Sequence, residues 1–542
     1  MTTTIKGQPS VIFYRFSTTG DQSNAVDLSP FVESLRIDEG IRKEMTATIT
    51  VKAHATKLIA GSAQKQSASF PSEHQTLFEP YSGLIMIVKP DSKNRNQYDF
   101  VGFLSDYDYD RQNGNNRRST LTAISLMSAI LSRETRFFFT EPQMIEQLKQ
   151  YPELEVITEW LAKAATGETA WNSLSDLVTY AIETTSTLQN MSLGKSQSAG
   201  GVKLRDKLQV WVKDYPGDTF VRPDFYSFQG SPKSMIDSLV EPSLYAQYET
   251  MIDGKPTFII KPFPYEYRNP ELRKAIMFRF GGTQYSTIQS PGNTLDAVGK
   301  TTQEIALSRY WDEPGAFHTV DRDSVPGERV RVNDSELFTI HTTRAATDAT
   351  APAKDYILKN IYNIPMIRRY GIRLRQTIIN SIALTGKAEQ DEMIPASKTG
   401  TTKKETVPSQ YNSIQFQKRN LLYSYYAYPF YYEGSFSFKP DPERSPINTG
   451  DRVKLMHIRS AAGNPIQVMI SGKTYHWNHG GASMYSFSFI RGHDPEMVKA
   501  FWMETGNKAI AGEVLTVTSD VQQVVKAFTG SLREMWEDFA PV

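Results

Sequence analysis

Three aspartates alternate along one segment with the spacing of the first ligands of a calcium-binding loop: Asp106, Asp108 and Asp110. Such a loop needs glycine at its sixth position and a bidentate glutamate at its twelfth. Counted from Asp106, these positions hold Arg111 and Arg117, which fill neither role. In a β-strand the three carboxylates would share one face, with Tyr107 and Tyr109 on the other. This periodicity favours an acidic strand face over a metal site.

Three Gly-Lys-Ser/Thr motifs are candidates for a nucleotide-binding site. They begin at Gly194, Gly299 and Gly472. A phosphate-binding loop has a further glycine five residues before each such word, because its backbone must curl around the phosphates. Those positions hold Gln189, Thr294 and Gln467. We therefore expect no nucleotide to bind at any of the three words.

Groups able to bind a metal or act as a nucleophile are sparse in this sequence. The absence of cysteine excludes disulfides, thiolate metal sites and cysteine nucleophiles. Of the eight histidines only His476 and His479 are close, and on a strand their side chains point to opposite faces. No His-Glu-x-x-His or Gly-x-Ser-x-Gly motif occurs. We expect no catalytic residue, no cofactor and no metal site.

The composition suits a large component of an assembly. A chain of 542 residues has room for about three or four domains. Lysine and arginine number 60 against 59 acids, so no overall charge draws the chain to nucleic acid or to membranes. The N-terminus lacks the pattern of a secretory signal, and no window reaches the roughly 18 apolar residues of a membrane helix. We expect a soluble protein without a membrane anchor, made in a reducing cytoplasm.

Two further segments are candidates for contact with partners. Residues Leu421 to Phe438 carry six tyrosines and three phenylalanines, a run that favours core and subunit interface over stacking on sugars or bases. The basic segment Lys354 to Arg375 is interrupted by Pro365. A solvated face or a strip of ion pairs between subunits is the plainer reading of it, with nucleic-acid contact as the alternative.

The elements that must position these residues are mainly strands. Residues 8 to about 136 alternate with period two, and Tyr98 to Met127 reads as a hairpin around an Asn-Gly turn. Apolar residues recur at threes and fours from Glu141 to about Lys213, which predicts helices, and residues 190–203 read as a linker. Gly386 to Ser409 is almost free of large apolar side chains and predicts a long exposed loop.

The segment Ile447 to Gly492 predicts a compact antiparallel unit of four short strands. Its apolar residues alternate with polar ones, and two words tolerate the positive φ of tight turns. These words are Ser471-Gly472-Lys473 and Asn478-His479-Gly480-Gly481. We predict hairpin turns at both.

The same unit resembles a known family. A Gly-Asp-Arg turn opens a strand, a hairpin rich in His, Trp and Gly follows, and an Arg-Gly closes it; here these are Gly450, Asp451, Arg452, His476, Trp477, Gly480, Gly481, Arg491 and Gly492. Ser231 to Tyr265, which contains a Pro-Phe-Pro sequence, and the Arg-Tyr-Gly step in Arg369 to Arg373 add to the match. In these sequence motifs the chain resembles the baseplate hub proteins of phage tails, whose fold is shared with the N-terminal part of type VI secretion spike proteins.

The resemblance implies an α+β, mainly β fold with two tube-like antiparallel β-barrel domains. We expect a first barrel in residues 1–136, a helical insert in 137–213 and a mixed α/β middle region in 214–410. Part of that middle region would complete the second barrel, in residues 411–492, which a helical extension follows in 493–542.

The implied function is that of a structural hub. Three chains with two similar barrels each would form a pseudo-sixfold ring that joins a hexameric tail tube to a trimeric spike and lines the DNA channel. The partners would be the tail tube protein, a separate central spike protein, the tape measure protein and surrounding baseplate proteins. DNA would pass without specific binding, and the protein would be part of the virion tail after assembly in the host cytoplasm. The face of Asp106, Asp108 and Asp110 would then line the lumen, although the strand could equally face outward.

The region beyond Gly492 predicts helix, and its apolar stripe is a candidate docking surface for a partner: Val521, Val524, Val525, Phe528, Leu532 and Trp536. Packing of this stripe onto its own chain is the alternative. Because Val542 follows so soon after the second barrel, we expect the spike to be a separate protein. Two other functions stay open, a tail-associated peptidoglycan-degrading enzyme and a tail protein that binds a glycan or receptor.

Overall fold

A computed structural model describes the strands that carry most of the sequence predictions. The residues it describes are 7–15, 25–52, 83–92, 94–111, 117–132, 135–138, 178–179, 182, 208–212, 227–240, 245–262, 317–321, 327–332, 337–345, 356–379, 430–439, 447–480, 483–494, 496–497, 500–501 and 509–512. In this part of the chain strands predominate over helices, which confirms the mainly β, α+β fold class. No helix in the same part is long and apolar enough to cross a membrane.

The N-terminal strands form an antiparallel group. They are β1 Ser10–Arg15, β2 Ala25–Asp27, β3 Val32–Gly40, β4 Thr46–Lys52, β5 Gly83–Val88, β6 Phe100–Arg111 and β7 Arg117–Ser125. Their order in the sheet is β2-β1-β5-β6-β7-β4-β3. The pairing of β6 with β7 confirms the hairpin that the alternating sequence predicts. In β4, Ala47, Ile49 and Val51 are fully buried while the threonines between them are half-buried, as expected for a sheet with one face on a core.

Helix α1, Leu126–Ser132, follows β7 directly. Smaller sheets then contain β8 Thr135–Phe138, β9 Gln209–Val212, β10 Ser227–Gly230, β11 Tyr245–Ile252 and β12 Lys255–Pro262. Helix α2, Pro232–Leu239, begins after Ser231, whose hydroxyl accepts a hydrogen bond from the backbone N–H of Ser234 at 3.1 Å. β8 pairs with β10, and β12 joins β11 to β9.

The remaining elements in chain order are β13 Phe317–Val320, β14 Gly327–Val332, β15 Ile340–Ala345, β16 Tyr356–Asn363, α3 Ile364–Tyr370, β17 Leu374–Ile379, β18 Tyr432–Phe438, β19 Arg452–Arg459, β20 Pro465–Asn478, β21 Met484–His493 and β22 Ala509–Gly512. β15, β16, β17 and β22 form a separate four-stranded sheet. The others make a second group in the order β14-β18-β21-β20, with β19 on β20 and β13 parallel to β19.

One long strand, β20, joins the two groups into a single 13-stranded sheet. Its residues Ile466 to Met469 pair with β19, and its residues Gly472 to Asn478 pair with β3. The predicted hairpin turn at Ser471-Gly472-Lys473 is therefore wrong, since the strand continues through it and only changes partner, and the unit has three strands where four were predicted. A Cβ on Gly472 would lie 3.2 Å from the carbonyl oxygen of Glu39, so glycine allows the close approach of β3. The other predicted turn is confirmed, because Gly480 has φ +77° between β20 and β21.

The two strand groups repeat the same connectivity. In the first group the order is β3-β4-β7-β6-β5, so the pair β3 and β4 lies beside the three consecutive strands β5, β6 and β7. In the second group the order is β14-β18-β21-β20-β19, so the pair β14 and β18 lies beside the three consecutive strands β19, β20 and β21. Both contain a bulge at the corresponding place, with Ser105 as the extra residue of β6 and Ser471 as that of β20. We call these two sets of five strands the first and second unit.

Each unit packs one face of the sheet on its own core. The first core includes Phe13, Ile49 and Leu121, and the second includes Phe436, Leu455 and Phe489, all nearly inaccessible to solvent. α1 covers the end of the opposite face, where Ile130 packs with Phe103. The rest of that opposite face is the surface on which a function must be sought.

Candidate functional site

The face of the sheet that points away from the two cores is lined mainly by short polar side chains. We call it the hydroxyl face. Its residues form cross-strand rows: Ser437, Ser486, Thr474, Asp38 and Thr46 in one, His476, Arg36, Thr48, Thr122 and Asp106 in the next, and Asn478, Ser34, Thr50, Thr120 and Asp108 in the third. Rows that cross both units show that the face is continuous over the junction of β20 with β3.

The charged groups near the junction are balanced within the face. Thr474 donates a hydrogen bond from Oγ1 to Oδ1 of Asp38 at 2.6 Å. Arg36 bonds the same carboxylate twice, at 2.6 Å through Nε and at 3.0 Å through Nη2. Burial lowers the pKa of His476, and the positive charge of Arg36 adds to that effect. A bidentate arginine–carboxylate pair offers little free positive charge to a passing anion.

The structure places two of the predicted acidic residues at one end of the hydroxyl face. Asp106 and Asp108 are exposed there, opposite Thr122 and Thr120 of β7. Tyr107 points the other way and packs against the first core, as the alternation predicts. Asp110 lies in β6 opposite Arg118, and its side chain is outside the described residues. Within the described part of the chain, no group of three or more His, Asp or Glu residues is placed to hold a metal ion.

The hydroxyl face can present an even, hydrated surface to another molecule. Serine and threonine hydroxyls are short and neutral, and they both donate and accept hydrogen bonds, so water can cover them evenly. Tight binding of a polyanion needs several lysines or arginines that neutralise its phosphates. Arg36 is paired with Asp38, and Arg118 with Glu33 at 2.8 Å. The face is therefore suited to contact without retention.

The sequence analysis did not predict an ion pair that lies at the junction of the two units. The side chain of Lys473 in β20 is 11% exposed, and its Nζ lies 3.6 Å from Oε1 of Glu39 and 3.1 Å from Oδ1 of Asn448. The ring of Tyr485 lies 5.2 Å from the same nitrogen. Burial lowers the pKa of Lys473, and Glu39 opposes that shift. In the sequence this lysine stands out only within a Gly-Lys-Thr word, which says nothing of an ion pair with β3.

A second buried acid ties the sheet of β11 to the first unit. Glu249 accepts hydrogen bonds from the hydroxyls of Ser125 and Ser128, the latter at 2.7 Å. Ser128 in turn accepts one from the backbone N–H of Met45 at 3.2 Å. Burial raises the pKa of Glu249 to about 7, although both hydroxyls act in the opposite direction. Alternation alone does not reveal this site, because Glu249 sits in a strand whose residues are buried on both faces.

The aromatic run and the basic segment meet in the structure. Arg369 lies over the rings of Tyr370 and Phe430, at 5.3 and 5.8 Å from their centres. Further along the run, Phe436 belongs to the second core. These residues contribute to packing within the chain, and whether others in the run contact a second subunit stays a prediction. The predicted docking stripe lies outside the described residues: Val521, Val524, Val525, Phe528, Leu532 and Trp536.

No protein-family model and no curated protein matches the sequence. Among solved structures, the 43 kDa tail protein of prophage MuSo2 from Shewanella oneidensis is similar over 89% of this chain and 98% of its own, with 8% identity and a TM-score of 0.38. The tail protein of Neisseria meningitidis MC58 is similar over 93% and 99%, with 8% identity and a TM-score of 0.40. The half-lidded PdpA–VgrG complex of Francisella is similar over 89% of this chain and 58% of that one, with 7% identity and a TM-score of 0.38. Phage tail proteins and a VgrG-containing complex are thus among the structures this chain is similar to.

Proposed function

We propose that the protein is a structural hub of a phage tail baseplate. Three copies would form a pseudo-sixfold ring between a hexameric tail tube and a trimeric central spike. The observation that carries this proposal is the repetition of one five-strand connectivity in a single continuous sheet. A chain with two similar units offers six similar surfaces when it forms a trimer, so one ring can meet a threefold partner and a sixfold partner.

Corresponding core positions support the similarity of the two units. Through the strand registers, Ile49 of β4 corresponds to Phe436 of β18, and each faces a buried residue of the next strand. Likewise Ile85 and Ile87 of β5 correspond to Val453 and Leu455 of β19, and all four are fully buried. Equivalent strands with equivalent inward positions favour equivalent neighbours in a ring.

In this proposal the hydroxyl face lines the lumen through which DNA passes without specific binding. Its short neutral side chains and balanced arginines suit a channel wall, and the exposed Asp106 and Asp108 would repel phosphate at one end. The protein would be a virion component that contacts the tail tube protein, a separate spike protein, the tape measure protein and other baseplate proteins. Neither a catalytic residue nor a cofactor is required for this role.

The test is the symmetry of the isolated full-length protein. Mass photometry at micromolar concentration is expected to show a particle of three times the 61.3 kDa chain mass, and cryo-EM class averages a ring with six lobes. A particle that stays monomeric, or a ring with another number of lobes, would contradict the hub.

The role of the C-terminal stripe in docking a partner is tested separately. Deletion of residues 515–542 is expected to leave the ring intact and to abolish capture of the purified central spike protein of the same tail. Capture of the spike by the truncated ring would show that docking occurs elsewhere.

A further inference from the structure

The junction of the two units brings an amine, a carboxamide and an acid together. Lys473 of β20 and Glu39 of β3 are directly opposed across the two strands. The Nζ of Lys473 lies 3.1 Å from Oδ1 of Asn448 and 3.6 Å from Oε1 of Glu39. Asn448 belongs to the segment that leads into β19, so the three groups come from three parts of the sheet. An amine in contact with a carboxamide is the pair of groups from which an amide bond between side chains can form.

The backbone holds Asn448 in place beside this amine. Asn448 begins a turn in which the N–H of Asp451 donates to its carbonyl oxygen at 3.1 Å. The N–H of Asn448 in return donates to Oδ2 of Asp451 at 2.7 Å. Gly450, with φ +81°, donates its N–H to the carbonyl oxygen of Ile470 at 2.8 Å. The turn is thereby attached to the strand that carries Lys473, so the amine and the carboxamide are held together before any reaction.

The surroundings of Lys473 favour its neutral form. Its side chain is 11% exposed, and burial lowers the pKa of the amine. Four charged groups act on it: Glu39, Asp451 and Asp99 oppose that shift, and Lys89 adds to it. Only a deprotonated amine is a nucleophile, so burial activates this lysine.

Glu39 is placed to carry the proton of the amine. Its side chain is 7% exposed, and its Oε1 accepts no hydrogen bond within the described part of the chain. A lone pair of this oxygen is therefore available to the ammonium of Lys473. A reaction between an amine and a carboxamide needs an acid–base group that takes a proton from the attacking nitrogen and gives one to the departing nitrogen.

We propose that Lys473 and Asn448 join in an amide bond between their side chains, with Glu39 as the acid–base group. The ammonium gives a proton to Glu39, and the neutral amine attacks Cγ of Asn448. The bond from Cγ to Nδ2 breaks as Glu39 gives its proton to the departing nitrogen. Glu39 then takes the remaining proton of the attacking nitrogen that must leave and passes it to ammonia. The products are one amide and one ammonium ion, so the reaction consumes no other reactant.

The bond closes β19 and the first half of β20 into a covalent loop. Asn448 precedes β19, and Lys473 lies where β20 leaves β19 and pairs with β3. In the reacted chain the two strands cannot separate at the point where the second unit meets the first. The ion pair of Lys473 with Glu39 belongs to chains that have not reacted, and the intact mass distinguishes the two forms.

The test is mass spectrometry of the full-length wild-type chain after incubation at mildly alkaline pH. The reacted chain is expected to weigh less than its sequence by one molecule of ammonia. Digestion is expected to release a branched peptide in which the side chain of Lys473 carries the segment around Asn448.

Two variants serve as matched controls. Lys473→Arg keeps a cation beside Glu39 but has no amine that can attack, and Glu39→Gln keeps the shape of the side chain without a proton carrier. Both are expected to keep the full mass of their sequences, with circular dichroism spectra like that of the wild type.

Peptide mapping separates this bond from another loss of ammonia. An Asn-Gly sequence can lose ammonia by closing a succinimide, and Asn113-Gly114 is such a sequence. A mass loss confined to Asn113 would overturn the proposal, as would a wild-type chain that keeps its full mass. A Glu39→Gln chain that reacts as fast as the wild type would overturn the role of Glu39. These measurements need no ring, so their outcome is independent of the proposed hub.

Discussion

The hydrogen-bonded carboxyl of Glu249 makes a sharp prediction about pH. It is buried, and its pKa is raised from 4.5 to about 7. A pKa raised on folding means that the native state holds the proton more tightly than the unfolded chain does. Its stabilising contribution is fully present below pH 4.5 and is lost as the pH rises through about 7. The difference of about 2.5 pKa units corresponds to about 3 kcal/mol between the two ends of that range.

The perturbation that isolates this effect is Glu249→Gln. Glutamine keeps the shape and an acceptor for the hydroxyls of Ser125 and Ser128 but does not ionise. Two other charged groups act on the site, Lys233 and Glu44, whose side chains lie 3.8 Å apart. They are present in both proteins, so the difference between wild type and variant reports Glu249.

The assay is thermal unfolding of both proteins in steps from pH 4.5 to 8.5. We expect the melting temperature of the variant, relative to wild type, to rise steadily across pH 5–8, because only the wild type carries the cost of a buried charge at high pH. A matched variant, Glu44→Gln, changes a partly exposed acid beside the same site and is expected to show a much smaller slope. A constant difference between wild type and the Glu249 variant over the whole range would refute the reasoning.

Three further predictions follow from the junction and its surroundings. Lys473→Met leaves Glu39 without its cation and should lower the free energy of unfolding by about 3 kcal/mol, measured by urea unfolding. Adding Glu39→Leu to this variant should restore most of the lost stability. Equal losses in the single and double variants would contradict the ion pair. Gly434→Ala places a Cβ against the carbonyl oxygen of Arg329, so β14 should separate from β18 and the melting temperature should fall. An unchanged melting temperature would show that the two strands stay paired without glycine at this position. Asp38→Ala should leave Arg36 without its carboxylate on the hydroxyl face and produce salt-sensitive DNA binding. Fluorescence anisotropy measures that binding, with Thr48→Ala as the control. Equal DNA binding by variant and control would argue that Asp38 does not neutralise the charge of Arg36 in that face.

Period-two alternation was enough to predict much of the sheet, including the β6–β7 hairpin and the faces of Asp106 and Asp108. It failed at Ser471 to Lys473, where glycine suggested a reversal of the chain. The glycine instead allows β20 to leave β19 and approach β3, which is more than 400 residues earlier in the sequence. A local pattern carries no information about that partner, so the Glu39–Lys473 pair was not visible before the registers were known.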